Sequence, residues 1–155
     1  MPDNVQMRAV RVTPTGQCHN WCFVTNEAGE ARVLITFSRG DVPPDRFAQC
    51  LDEAEARAGE YDCSIGCSTG PVTVNSVLRK RVADILQGKR SSVVADHRLT
   101  RGIVTALGWL GVNVQSFPWT DIGGAVAYLD VSEVPDEEII AAVEQLRDLS
   151  IGPTK

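Results

Sequence analysis

The feature that most constrains this chain is a change of hydrophobic period close to residue 40. Before it, apolar residues come in short runs separated by turn chemistry. Residues 7–12 carry Val10 and Val12 and stop at Pro14-Thr15-Gly16. Trp21-Cys22-Phe23-Val24-Thr25 is a second run, Asn26-Glu27-Ala28-Gly29 has the composition of a turn, and Arg32-Val33-Leu34-Ile35-Thr36-Phe37 answers it. That pattern predicts strands, with an antiparallel hairpin at its centre. Beyond Ser38-Arg39-Gly40 the spacing becomes helical. Pro43-Pro44 opens a helix where a missing N–H costs nothing. Phe47, Leu51, Ala54 and Ala58 then form one face, against Asp52, Glu53, Glu55 and Arg57 on the other, and Gly59 is a natural stop.

From there strands and helices alternate. Residues 61–67 predict a short strand and Ser68-Thr69-Gly70-Pro71 a loop. Leu78, Val82, Ile85 and Leu86 mark a second helix, and Ser92-Val93-Val94-Ala95 reads as a buried parallel strand. A third helix spans about residues 100–110, with Ile103, Val104, Leu107 and Leu110 inward, and residues 112–117 predict another strand. Asp121 is placed to cap a short helix carrying Ile122, Val126 and Leu129. Pro135-Asp136-Glu137-Glu138 opens the last helix, its carboxylates at the positive end of the dipole and Ile139, Ile140, Val143, Leu146 and Leu149 on its apolar face. The expected class is α/β: a mixed sheet flanked by helices, with an N-terminal β-hairpin and an additional C-terminal helix. One domain is expected over residues 1–155, with a core over about 7–130 and the final helix over 135–150.

Hydrophobic content of 43% and a net charge of −5 suit an ordinary globular chain and disfavour nucleic acid or an anionic membrane surface as partner. No apolar run reaches the roughly 20 residues needed to span a bilayer, and the first six residues lack the features of a signal peptide. Five cysteines, an odd number, fit reduced thiols and a cytoplasmic location.

Few constellations point to catalysis. Cys18-x3-Cys22 beside His19, with Cys63-x3-Cys67, offers four sulfurs to zinc, but residues four apart on one strand lie about 13 Å apart. Buried small hydrophobes are the simpler expectation for these thiols. A nucleophilic cysteine needs a base, and only His19 and His97 are available. Serine-elbow, phosphate-loop and zinc-protease motifs are absent. No catalytic residue, metal or cofactor is therefore expected, and the chain is read as a non-enzyme.

The second half carries a resemblance. Ser92-Val93-Val94-Ala95-Asp96, then Leu99-Thr100-Arg101-Gly102-Ile103-Val104-Thr105-Ala106-Leu107-Gly108-Trp109, Val114-Gln115-Ser116-Phe117 and Ala125-Val126-Ala127-Tyr128-Leu129 resemble stand-alone STAS-like proteins of the myxobacterial type, related to anti-sigma factor antagonists. The resembling stretch covers residues 70–129. It implies a mixed four- or five-stranded sheet with helices chiefly on one side, and regulation or signalling through protein contacts. Phospho-regulated members carry Asp-x-Ser-Gly before the second helix. Here the corresponding region is Cys67-Ser68-Thr69-Gly70-Pro71-Val72-Thr73-Val74-Asn75-Ser76, which lacks the aspartate.

The expected function is a regulatory or scaffold role through an unidentified protein partner, a regulator or kinase-like protein, modulated by phosphorylation of Ser68, Thr69, Thr73 or Ser76. Arg79, Lys80 and Arg81 would add a basic face to that surface, and Trp119, beside Pro118, an exposed aromatic. Trp109 is expected to pack inward. Residues 79–101 are basic and residues 121–148 acidic, so these faces also permit a homodimer. The alternative is a small-molecule sensor. Asp96, His97, Arg98 and Arg101 sit where a parallel strand meets a helix N-terminus, a position suited to an anionic ligand such as a nucleotide or lipid headgroup.

Overall fold

The change of period separates two modes of strand pairing. The computed structural model describes residues 7–11, 18–96 and 98–151. Strands β1 (Met7–Arg11), β2 (Cys18–Thr25) and β3 (Ala31–Asp41) pair antiparallel. Strands β4 (Cys63–Thr73), β5 (Arg90–Val94) and β6 (Asn113–Phe117) then add in parallel, giving a six-stranded sheet in sequence order. Each parallel connection carries a helix: α1 (Pro44–Ala56), α2 (Ser76–Leu86) and α3 (Arg98–Trp109). The chain ends with α4 (Ile122–Leu129) and α5 (Asp136–Ile151).

Successive parallel crossovers share one hand, so α1, α2 and α3 fall on one face of the sheet. Strand alternation divides the core accordingly. Val33, Ile35, Cys63 and Ile65 point to the opposite face, where they pack with α4 and α5 through Val126, Leu129, Ile139 and Val143. Trp21, Phe23 and Leu34 face α1 through Cys50 and Ala54. Helices thus cover both faces of six strands, where the resemblance implied four or five strands covered chiefly on one side. The hydrophobic α4 and α5 account for the difference, since they close what would be an open sheet face.

Local chemistry sets the ends. Pro44 begins α1 without a side-chain cap. Asn75 accepts a hydrogen bond from Leu78 N (2.8 Å) to start α2, and Asp121 accepts one from Gly124 N (3.1 Å) at α4. Two expectations are corrected. The predicted loop Ser68-Thr69-Gly70-Pro71 lies within β4, which continues through an irregularity where the register with β3 shifts beyond Arg39. Gly70 takes a positive φ of 67° there, so the loop-like composition encodes a bulge. Leu149 is exposed, and α5 buries Ile139, Ala142, Val143, Leu146 and Ser150, a stripe that keeps strict i, i+3, i+4 spacing. No helix among the described residues is long and apolar enough to cross a membrane.

Candidate functional site

The sheet face beneath α1, α2 and α3 is built from rows of register partners. His19, Ser38 and Ser68 are neighbours across β2, β3 and β4. The next row is Trp21, Thr36, Gly66 and Val93, and the next Phe23, Leu34, Ser64 and Ser91. Side chains are large and aromatic on β2 but small or polar on β4, and β5 adds Val93 and Ser91. The cause is the alternation Cys63-Ser64-Ile65-Gly66-Cys67-Ser68, which sends bulk to one face and small groups to the other.

Small groups leave space. A cavity of about 120 Å³ lies between this face and the helices, lined by His19, Thr36, Ser64 and Gly66 below and by Leu51 and Ile85 among the residues above. A second cavity of about 110 Å³ shares Thr36, Gly66 and Val93 with it and is also lined by Ser38 and Ser68. His19 is 2% exposed and stacks on Phe47 at 4.5 Å. Its Nδ1 lies 2.7 Å from Ser38 Oγ, while its Nε2 is buried without a hydrogen-bond partner. The Ser68 hydroxyl is likewise buried and unpartnered, whereas Ser64 and Ser91 pair with each other at 2.9 Å. Burial, then the nearby Arg46 guanidinium, lowers the His19 pKa to about 3. An imidazole so held is a weak base at neutral pH, and what it offers is a neutral hydrogen-bonding nitrogen.

A different feature lies outside the helices. Ser76, Arg79 and Lys80 of α2 and Ala106, Leu107 and Trp109 of α3 line an open groove of about 340 Å³. Trp109 is 85% exposed, Val77 77% and Leu110 48%. Three of the four exposed large hydrophobic residues described therefore sit on these two helices or at the end of the second. The tryptophan expected to pack inward is thus on the surface. Among the described side chains of α3, Val104 and Leu107 are buried, and Trp109 lies about 200° around the helix from Leu107.

Trp119, expected as the exposed aromatic, is held within the fold. Its Nε1 donates to the Ser68 carbonyl (2.8 Å), and the Arg147 guanidinium lies 5.0 Å from its ring centre. Its backbone N–H donates to Asp96 Oδ1 at 3.1 Å. Arg81 is also engaged internally, donating to Asp52 and Glu55 at 2.6 Å each and so tying α2 to α1.

The hydroxyls considered for phosphorylation fare differently. Ser68 is buried, Thr69 half-buried, and Ser76 exposed at the first position of α2. The side chain of Thr73 lies outside the described residues. Of the residues expected to hold an anion, Asp96 and Arg98 are exposed, while His97 and the side chain of Arg101 lie outside the described residues. The strand order between β5 and β6 is sequential, so no topological switch point opens a crevice there.

Cys22, Cys50, Cys63 and Cys67 are free and buried. Burial pushes the Cys22 thiol up to about 12 and raises those of Cys50 and Cys67 further. No cluster of three metal-ligating side chains occurs among the described residues.

Reading the residues alone missed the His19–Ser38–Ser68 row. The legible signal was the alternation of apolar with small polar residues along 63–68, which says that one sheet face is underfilled. No protein-family model, curated protein or solved structure matches this chain.

Proposed function

We propose that this protein is a regulatory binding domain of the STAS-like kind that takes a protein partner in the groove between α2 and α3. The observation that carries this reading is Trp109, 85% exposed on a groove that also holds Arg79 and Lys80. An exposed tryptophan bordered by apolar residues is costly to leave in water and is the residue type most enriched at binding hot spots. The two cations favour a partner segment that carries carboxylates beside one apolar side chain, because complementary charge selects and steers such partners.

Ser76 extends the reading to control. It lines the same groove and stands three and four residues before Arg79 and Lys80, the spacing at which helical side chains meet. A phosphate there would neutralise the cations and repel an acidic partner.

Peptides selected from a random displayed library against the full chain test this. Selected sequences should share Asp or Glu beside an aromatic or leucine. Trp109→Ala should weaken them at least about tenfold, and Lys80→Glu and Ser76→Asp several-fold. Peptides that bind all three variants as tightly as the wild type would overturn the groove as the docking site. If the chain instead self-associates and Trp109→Ala abolishes the association, the occupant is a second copy.

A further inference from the structure

We propose that the paired cavities beneath α1, α2 and α3 form a binding site for a small uncharged molecule, an apolar body about the size of benzene bearing one hydroxyl group. Among the described residues the site shares only Leu107 with the α2–α3 groove, so this inference stands apart from the docking reading.

The size follows from the space. The larger cavity holds about 120 Å³ and the adjoining one about 110 Å³. An apolar cavity of roughly 150 Å³ is enough to take up benzene. Empty space of this kind destabilises a fold in proportion to its volume, so a chain that keeps it along three strands sacrifices stability. That space comes from Gly66, Ser64 and Ser68, at the positions of β4 where larger residues would fill it.

The chemistry follows from the lining. Leu51, Val82, Ile85 and Leu86 make an apolar ceiling, and among the described residues no charged side chain lines either cavity. An ionised ligand would be left unpaired there. Two polar groups on the floor lack partners, His19 Nε2 and Ser68 Oγ. They belong to one cross-strand row, joined through Ser38, whose Oγ lies 2.7 Å from His19 Nδ1. Buried polar atoms are almost always satisfied, so two orphans lining adjacent cavities that share Thr36, Gly66 and Val93 mark groups that await a partner. A hydroxyl both donates and accepts, and therefore satisfies Nε2 in either neutral tautomer.

Titration of the full-length chain with phenol, benzene and benzoate, read from the methyl NMR signals of Leu51, Val82, Ile85 and Leu86, tests the proposal. Phenol should shift these signals saturably and bind about fivefold or more tighter than benzene, with no binding of benzoate. His19→Phe should bring phenol and benzene within about twofold of each other. Gly66→Ala fits the empty protein, since its Cβ would meet only Thr36 Oγ1 at 3.5 Å, and should weaken phenol at least about tenfold by occupying the space. If His19→Phe does not fold, the phenol-to-benzene ratio and Gly66→Ala decide. The absence of any saturable shift would mean that the cavities hold water only, and would overturn the site. Equal affinities for phenol and benzene would remove the hydroxyl, and unchanged phenol binding by Gly66→Ala would place the molecule elsewhere.

Discussion

Asn20 of β2 donates through Nδ2 to the Ser150 hydroxyl at 2.8 Å, joining the second strand to the last helix across 130 residues of chain. The same amide accepts from Arg46 Nη2 at 2.9 Å, so one buried side chain ties α1 on one face of the sheet to α5 on the other. The Ser150 proton is directed to the Leu146 carbonyl (2.6 Å), which leaves its oxygen to accept from Asn20. Ser150→Ala withdraws that acceptor from a buried amide and should cost about 1–3 kcal/mol. Urea unfolding should show a lower midpoint at unchanged slope. Ser132→Ala, at an exposed position, should fall within about 0.5 kcal/mol of the wild type. Equal effects of the two substitutions would deny the link its role.

The thiols make a second prediction. Burial holds Cys22, Cys50 and Cys67 as uncharged thiols, and the thiolate is the reactive form. Cys63 is 6% exposed and its Sγ donates to the Leu129 carbonyl at 3.4 Å. Mass spectrometry after brief treatment with a thiol reagent at pH 8 should find all four unlabelled in the native protein and labelled in guanidinium. Rapid native labelling at Cys22 or Cys67 would mean that the α4–α5 face opens readily.

Much of this architecture was legible because period and punctuation agree in the sequence. The antiparallel start followed the turn residues Asn26 to Gly29, and α1 followed Pro44 together with Phe47, Leu51 and Ala54. Ser92-Val93-Val94 gave a strand flanked in parallel on both sides. Departures arose where a residue's local meaning depends on its neighbours in space. Gly70 and Pro71 look like a loop, yet β3 pairs with β4 on both sides of them and carries it through a bulge. Trp109 looks like core by hydrophobicity, and only its angle around α3 relative to Leu107 puts it outside. Sequence offers His19 as a base or a metal ligand because it shows the neighbour Cys18 and hides the cross-strand partner Ser38. Register pairs residues 19 apart, and composition carries no record of register.

His19 gives stability a pH dependence of defined sign. Its folded pKa, about 3, lies below the ordinary value of 6.5, so protonation favours the unfolded chain. The stability it supports is complete above pH 6.5 and is lost as pH falls from there toward about 3. The slope between is at most about 1.4 kcal/mol per pH unit. Urea unfolding at pH 7, 6, 5 and 4 should therefore show a steeper loss for the wild type than for His19→Phe, which cannot titrate. The two chains differ only at residue 19, so the difference between their profiles isolates His19. Parallel profiles would mean that the imidazole is solvated and not buried.

Exposed Trp109 and half-buried Trp119 should separate by spectroscopy. Trp21 is fully buried and donates through Nε1 to Glu53 Oε2 at 2.5 Å, so it contributes little to quenching by iodide. Trp109, at 85% exposure, should supply most of the quenchable emission. Trp109→Phe should abolish that component, shift the remaining emission to the blue, and leave stability within about 0.5 kcal/mol of the wild type. Trp119→Phe should behave in the opposite way. It leaves the Ser68 carbonyl without its indole donor and weakens the Arg147 contact, so it should cost about 1–2 kcal/mol while the quenchable emission persists. If the quenchable component disappears with Trp119 instead, then Trp119 is the exposed aromatic, and the docking surface moves from the α2–α3 groove to the end of β6.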